Sequence, residues 1–137
     1  KNSADPALAA IAEKTLKEAR YHLKYSSEWL IRLGDGTDES HQKMQNALQT
    51  MVKFVGEAYE PVEADLAMLE AGIGPDLSNI KEKALSDLKQ VVTQSTLVWP
   101  NQHFDRTGGK NGSHSEHLGY ILATMQYMQR SYPGVEW

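Results

Sequence analysis

From Ala7 to Leu33 the chain contains no glycine or proline, and an unbroken stretch of that length dictates most of what can follow. Leu8, Ala12, Leu16, Ala19, Leu23, Ser26, Leu30 and Leu33 recur at steps of three or four, which places them on one face of a helix. Asp5 suits the cap and Pro6 the first helical position, while Gly34 and Gly36 end the run. A helix over Asp5 to Leu33 is about 43 Å long at 1.5 Å per residue, the length of a bundle helix.

The short turn Gly34-Asp35-Gly36 implies that a second helix folds back as a hairpin. It opens near Thr37 or Asp38, with Glu39 in the first turn complementing the dipole. Met44, Leu48, Met51, Val55 and Ala58 form its apolar stripe, and Pro61 bounds it. A short helix is predicted from about Val62 to Glu70, then a Gly72/Gly74 break, then a helix from about Asp76 to Gln94. The last of these carries Leu77, Ile80, Ala84, Leu88, Val91 and Ser95 on one side. Periodicity is lost from Leu97 to Gly112, which reads as a loop. Ser113-His114-Ser115-Glu116 has the pattern of a capping box, opening a helix that continues through Leu118, Ile121, Met125 and Met128 to about Arg130, before Pro133-Gly134. No strand-like alternation of useful length occurs. The expected fold is all-α, with residues 1–137 forming a single helical domain or half-domain.

Charge and composition narrow the function. A formal charge of -4 over 137 residues argues against a nucleic-acid partner, because phosphate binding needs a basic face. The absence of cysteine excludes disulfides, thiol nucleophiles and thiolate metal sites, and fits a cytoplasmic location. No apolar run approaches the roughly 20 residues of a membrane span, and no signal peptide is visible at Lys1.

Five histidines among many carboxylates raise the question of a di-iron centre, which in helical bundles uses Glu-x-x-His pairs. None is present. Glu18 precedes His22 by four residues, a spacing that can serve one metal and more commonly serves a salt bridge or a hydrogen-bonded core histidine. Asp38-Glu39-Ser40-His41 occupies a helix start, where acids are expected on dipole grounds. His114 and His117 form a His-x-x-His pair without an identifiable third ligand. Arg106-Thr107-Gly108-Gly109-Lys110-Asn111-Gly112 delivers Arg106 and Lys110 to a helix start, a setting for an anion such as a phosphate, but it lacks the order of a nucleotide-binding P-loop. Ser26, Ser27 and Ser113 have no recognisable triad partners.

Several segments carry a resemblance that spacing alone does not give. Asp5 to Ala12, Lys17-Glu18-Ala19-Arg20-Tyr21-His22-Leu23, Arg32 to Ser40, Arg106 to Gly112, His114 to Gly119 and Met125 to Arg130 resemble the C subunits of ring 1,2-phenylacetyl-CoA epoxidases. The resemblance implies a ferritin-like bundle and membership of a bacterial oxygenase acting in aerobic phenylacetate breakdown. It further implies a division of labour in which a similar A subunit holds the di-iron centre and C is its structural, non-catalytic partner. On that pattern the acid belonging with His22 falls on Ala19, whose methyl cannot bind iron. Family members are about twice this length, so the chain is expected to be the C-terminal half of the bundle, to self-associate or to need another chain. The expected site inventory is therefore no catalytic residue and no cofactor in this chain, with Glu18 and His22 as weak metal candidates and Arg106 and Lys110 as a contact for an anion or a CoA phosphate. The alternative is a ferritin-like metal-binding protein, or a di-iron oxygenase with a metal site of its own.

Overall fold

The computed structural model describes residues 2–101 and 105–136. Its elements are α1 (Pro6–Gly34), α2 (Asp38–Met51), 3₁₀ turns at Val52–Phe54 and Gly56–Tyr59, α3 (Glu63–Glu70), α4 (Leu77–Gln94), a 3₁₀ turn at Gly109–Asn111, α5 (His117–Met125) and α6 (Tyr127–Ser131). Among the described residues there is no strand, and the all-α architecture accords with a ferritin-like chain. No helix is long and apolar enough to cross a membrane, again among the described residues. The helices divide into two compact units, Lys1–Arg106 and Thr107–Trp137.

In the first unit the helix starts are set by side-chain caps. The Asp5 carboxylate accepts from the N–H groups of Ala7 and Leu8 at 2.8 and 3.1 Å, and Pro6 follows at a position where a missing N–H costs nothing. Thr37 caps α2 through the N–H of Ser40 at 3.2 Å, and Asp76 caps α4 through Ser78 and Asn79. At α3 the Asp65 carboxylate accepts the N–H of Val62 at 3.0 Å, which is the return half of a capping box.

The second helix is shorter than its apolar stripe predicts. After Met51 the chain tightens into 3₁₀ turns. The carbonyl of Lys53 accepts from the N–H of Arg106 at 2.8 Å, and a Cβ on Gly56 would lie 2.8 Å from the Asp105 carboxylate. The returning backbone thus occupies the space along which a regular helix would have continued toward Pro61.

α1 packs against both α2 and α4. Its packed side also differs from the predicted stripe. Ala12, Leu16 and Leu30 are half-buried as expected, but their companions are Ala9, Ser27, Ile31 and the buried Gly34, while Leu8, Ala19, Leu23, Ser26 and Leu33 are exposed. The contact face has turned toward the small residues, which allow closer approach. Among the described residues the buried apolar side chains are Val52, Val92 and Leu97; Leu97 lies beside Gly34 at the end of α1, whereas Val52 follows the far end of α2.

The second unit departs further from expectation. Ser113 caps nothing: its N–H donates to the carbonyl of Gly108 at 2.8 Å, closing a turn in which Gly108 and Gly112 adopt φ of +99° and +90°. Those conformations suit glycine, and they hold Ser113 away from the helix start, so α5 begins only at His117 with no side-chain cap. Nor is the final helix continuous, since Gln126 separates α5 from α6. The loop predicted over Leu97 to Gly112 includes residues 102–104, which lie outside the described residues.

Candidate functional site

α1 brings Glu18 and His22 together as the spacing requires, with Nε2 of His22 3.5 Å from Oε1 of Glu18. The side chains are 68% (His22) and 74% (Glu18) exposed. Of the two common readings of that spacing, the structure shows the surface ion-pair geometry and not a buried core histidine. Its ring also meets Tyr21 edge-on at 5.9 Å. A carboxylate able to join His22 on a metal in the Glu-x-x-His manner would start from position 19, which holds alanine. Among the described residues no three His, Asp or Glu side chains gather closely enough to hold a metal ion. The donor set of α1 thus does not fit a di-iron centre, and the pair has the geometry of an exposed i,i+4 contact worth a few tenths of a kcal/mol, of the order of ~0.3.

Tyr21, Tyr25 and Trp29 form a ladder one helical turn apart along α1. Tyr21 and Tyr25 stack at 6.1 Å between centroids, Tyr25 and Trp29 tilt at 6.3 Å, and the Arg32 guanidinium lies 5.8 Å from the Trp29 ring centroid. All three aromatic side chains are exposed.

A polar clasp that sequence reasoning missed closes the C-terminal end of α1. Nδ1 of His41 lies 2.7 Å from the carbonyl of Gly34, and since a carbonyl only accepts, that nitrogen carries the proton. Thr96, held at φ +59°, donates its hydroxyl to the same carbonyl at 3.1 Å. One turn further along α2, the Gln45 amide donates to the Val98 carbonyl and accepts the Val98 N–H, each at 2.9 Å. These contacts satisfy a carbonyl that a helix end leaves without an intrahelical partner. The available signal was the four-residue spacing of His41 and Gln45, which sets both on one face of α2.

The remaining candidates fall in both units. Arg106 closes the first unit and its backbone N–H is engaged by Lys53. Lys110 belongs to the second unit, in the 3₁₀ turn between Gly108 and Gly112. His114 and His117 are exposed, and the N–H of His114 donates to the carbonyl of Gly112 at 3.1 Å.

A long capped helix folded against two others gives an all-helical chain whose architecture accords with the ferritin-like class, and its Glu/His pair stands one residue out of register for a Glu-x-x-His site. Its sequence matches the model of the phenylacetic acid catabolic protein family over residues 1–137, and the chain belongs to that family. It is 47% identical over 135 residues to the C subunit of the 1,2-phenylacetyl-CoA epoxidase of Escherichia coli (strain K12), an alignment covering 98% of this chain and 54% of that protein. The chain thus spans about half the length of the curated relative it matches.

Proposed function

We propose that the chain is a structural, non-catalytic part of a phenylacetyl-CoA 1,2-epoxidase, supporting the di-iron A subunit of the same complex during aerobic phenylacetate catabolism in the cytoplasm. The observation that carries this reading is the register of α1: His22 is kept, the position three residues before it is Ala19, and Glu18 is spent on an exposed contact with the imidazole. A carboxylate one residue away is rotated by about 100° around the helix, so Glu18 does not stand where the Glu-x-x-His pattern places its acid. The chain's own contribution is a surface for assembly, toward the A subunit and toward other copies of itself, and the small number of buried apolar side chains among the described residues supports a fold completed by such contacts.

The test is metal analysis of the purified chain, alone and joined to the remaining half of a full-length relative. Iron below a tenth of an equivalent, with turnover appearing only when an A subunit is added, is the expected result. Stoichiometric iron held by carboxylate and imidazole would favour a ferritin-like metal protein with a site of its own.

A further inference from the structure

We propose that Asn111 is a site of spontaneous covalent modification, deamidated through a cyclic imide with Gly112 whenever the Gly109–Asn111 turn opens. Two features set it apart from the asparagines of the helices. Asn111 is followed by glycine, whose nitrogen has no neighbouring Cβ to hinder its approach to a side-chain carbonyl, whereas Asn46 and Asn79 are followed by Ala47 and Ile80. Asn46 and Asn79 also lie inside α2 and α4, where their side-chain amides are engaged by Gln42 at 3.0 Å and by Asp76 at 2.7 Å. Asn111 instead ends a short turn closed by main-chain hydrogen bonds. Its own N–H and that of Ser113 reach the carbonyl of Gly108 at 3.0 and 2.8 Å, and the N–H of Gly112 reaches the carbonyl of Gly109 at 3.0 Å. A single 3₁₀ turn opens far more readily than the interior of a helix.

Once the Gly112 N–H has left the Gly109 carbonyl, hydroxide removes its proton and the nitrogen attacks Cγ of Asn111. The N–Cγ bond forms, the Cγ–Nδ2 bond breaks, and the amide nitrogen departs as ammonia with a proton from water, which restores the hydroxide. Water then adds to one of the two imide carbonyls. Opening at Cγ leaves aspartate, and opening at the main-chain carbonyl leaves isoaspartate, whose main chain runs through the side-chain carbon. No oxidant or reductant is needed. Either product sets a carboxylate beside Lys110 in sequence, and so weakens the basic character that suits this segment to an anion. Isoaspartate also lengthens the main chain by a methylene, so that Gly112 and Ser113 no longer both reach their carbonyls. The bonds that slow the reaction are thus the ones that its product breaks.

The modification is independent of the proposed function and is tested on the full chain, incubated in mildly alkaline buffer. Peptide mass spectrometry reads the mass gained when an amide NH2 becomes OH, and released ammonia is measured alongside. In the folded chain Asn111 should convert at least about tenfold faster than Asn46 or Asn79, which wait on the opening of a helix. Unfolding the chain in guanidinium should speed Asn111 about tenfold, the gain expected when the main-chain hydrogen bonds of the turn are removed. Gly108→Ala leaves the Asn111-Gly112 pair intact but strains the turn, since its Cβ would sit at φ +99° and 3.1 Å from that of Ser113. It should speed the folded chain at least about threefold. Conversion of Asn46 or Asn79 at the same rate overturns the choice of site. A rate equal in the folded and unfolded chain, or unchanged in Gly108→Ala, overturns control by the turn, and an Asn111 that keeps its amide in both states overturns the proposal outright.

Discussion

At its last turn α1 is locked, and two turns earlier it is bare. Gly34 is buried against Ser95 and Leu97, and its carbonyl takes hydrogen bonds from His41 and Thr96. Tyr25, on the same helix, is stacked only on neighbours of its own helix and stays exposed. The contrast comes from what approaches. A missing Cβ and a few well-placed donors fix the hairpin end, whereas large aromatic groups that stack along their own helix and stay exposed contribute little to folding.

The sharpest way to break that contrast is to fill the locked end. A Cβ on Gly34 would sit 2.4 Å from the Ser95 carbonyl oxygen and 2.8 Å from the Ser95 Cβ, and neither backbone nor a fully buried serine can move aside cheaply. Gly34→Ala should cost about 3 kcal/mol by overpacking, read as a lower midpoint in urea unfolding followed by circular dichroism. Gln45→Ala removes both hydrogen bonds to Val98 and should cost about 1.5 kcal/mol in the same assay. At the far end of α1, Asp5→Ala leaves two N–H groups without their cap and should cost about 1 kcal/mol.

The bare region should respond least. His22→Ala deletes only an exposed contact with Glu18 and a ring edge beside Tyr21, so its effect on chain stability should stay within about 0.5 kcal/mol. A buried histidine with a satisfied partner would have cost about 1 to 3 kcal/mol, and such a loss in the isolated chain would show that the middle of α1 is covered after all.

Much of the helical plan was legible in the residues because its signals are local. Asp5-Pro6 and Asp76 mark helix starts by capping chemistry that acts over three residues, and Gly34 and Gly36 mark the end of α1, Gly34 by admitting Ser95 where a Cβ would stand. What escaped was decided at long range. The carbonyl of Lys53 is claimed by Arg106, which no periodicity within α2 announces. Ser113 carried a valid capping pattern, but Gly108 offered its N–H a closer carbonyl. At α3 the working acid is Asp65, paired with a Val62 whose side chain gives no capping signal. For the Glu18 and His22 site the four-residue spacing correctly foretold contact. Exposure was not foretold, because periodicity identifies a face without saying what lies on it.

The Gln45 clasp makes one backbone amide a reporter. Val98 is 66% exposed, and its N–H bonds to a side chain and not to a helix or sheet ladder. Its exchange with deuterated solvent therefore requires only that Gln45 change rotamer, an opening far smaller than the unfolding that releases the interior amides of α4. The exchange rate at Val98 reads how often the hairpin end loosens, separately from how often the molecule unfolds.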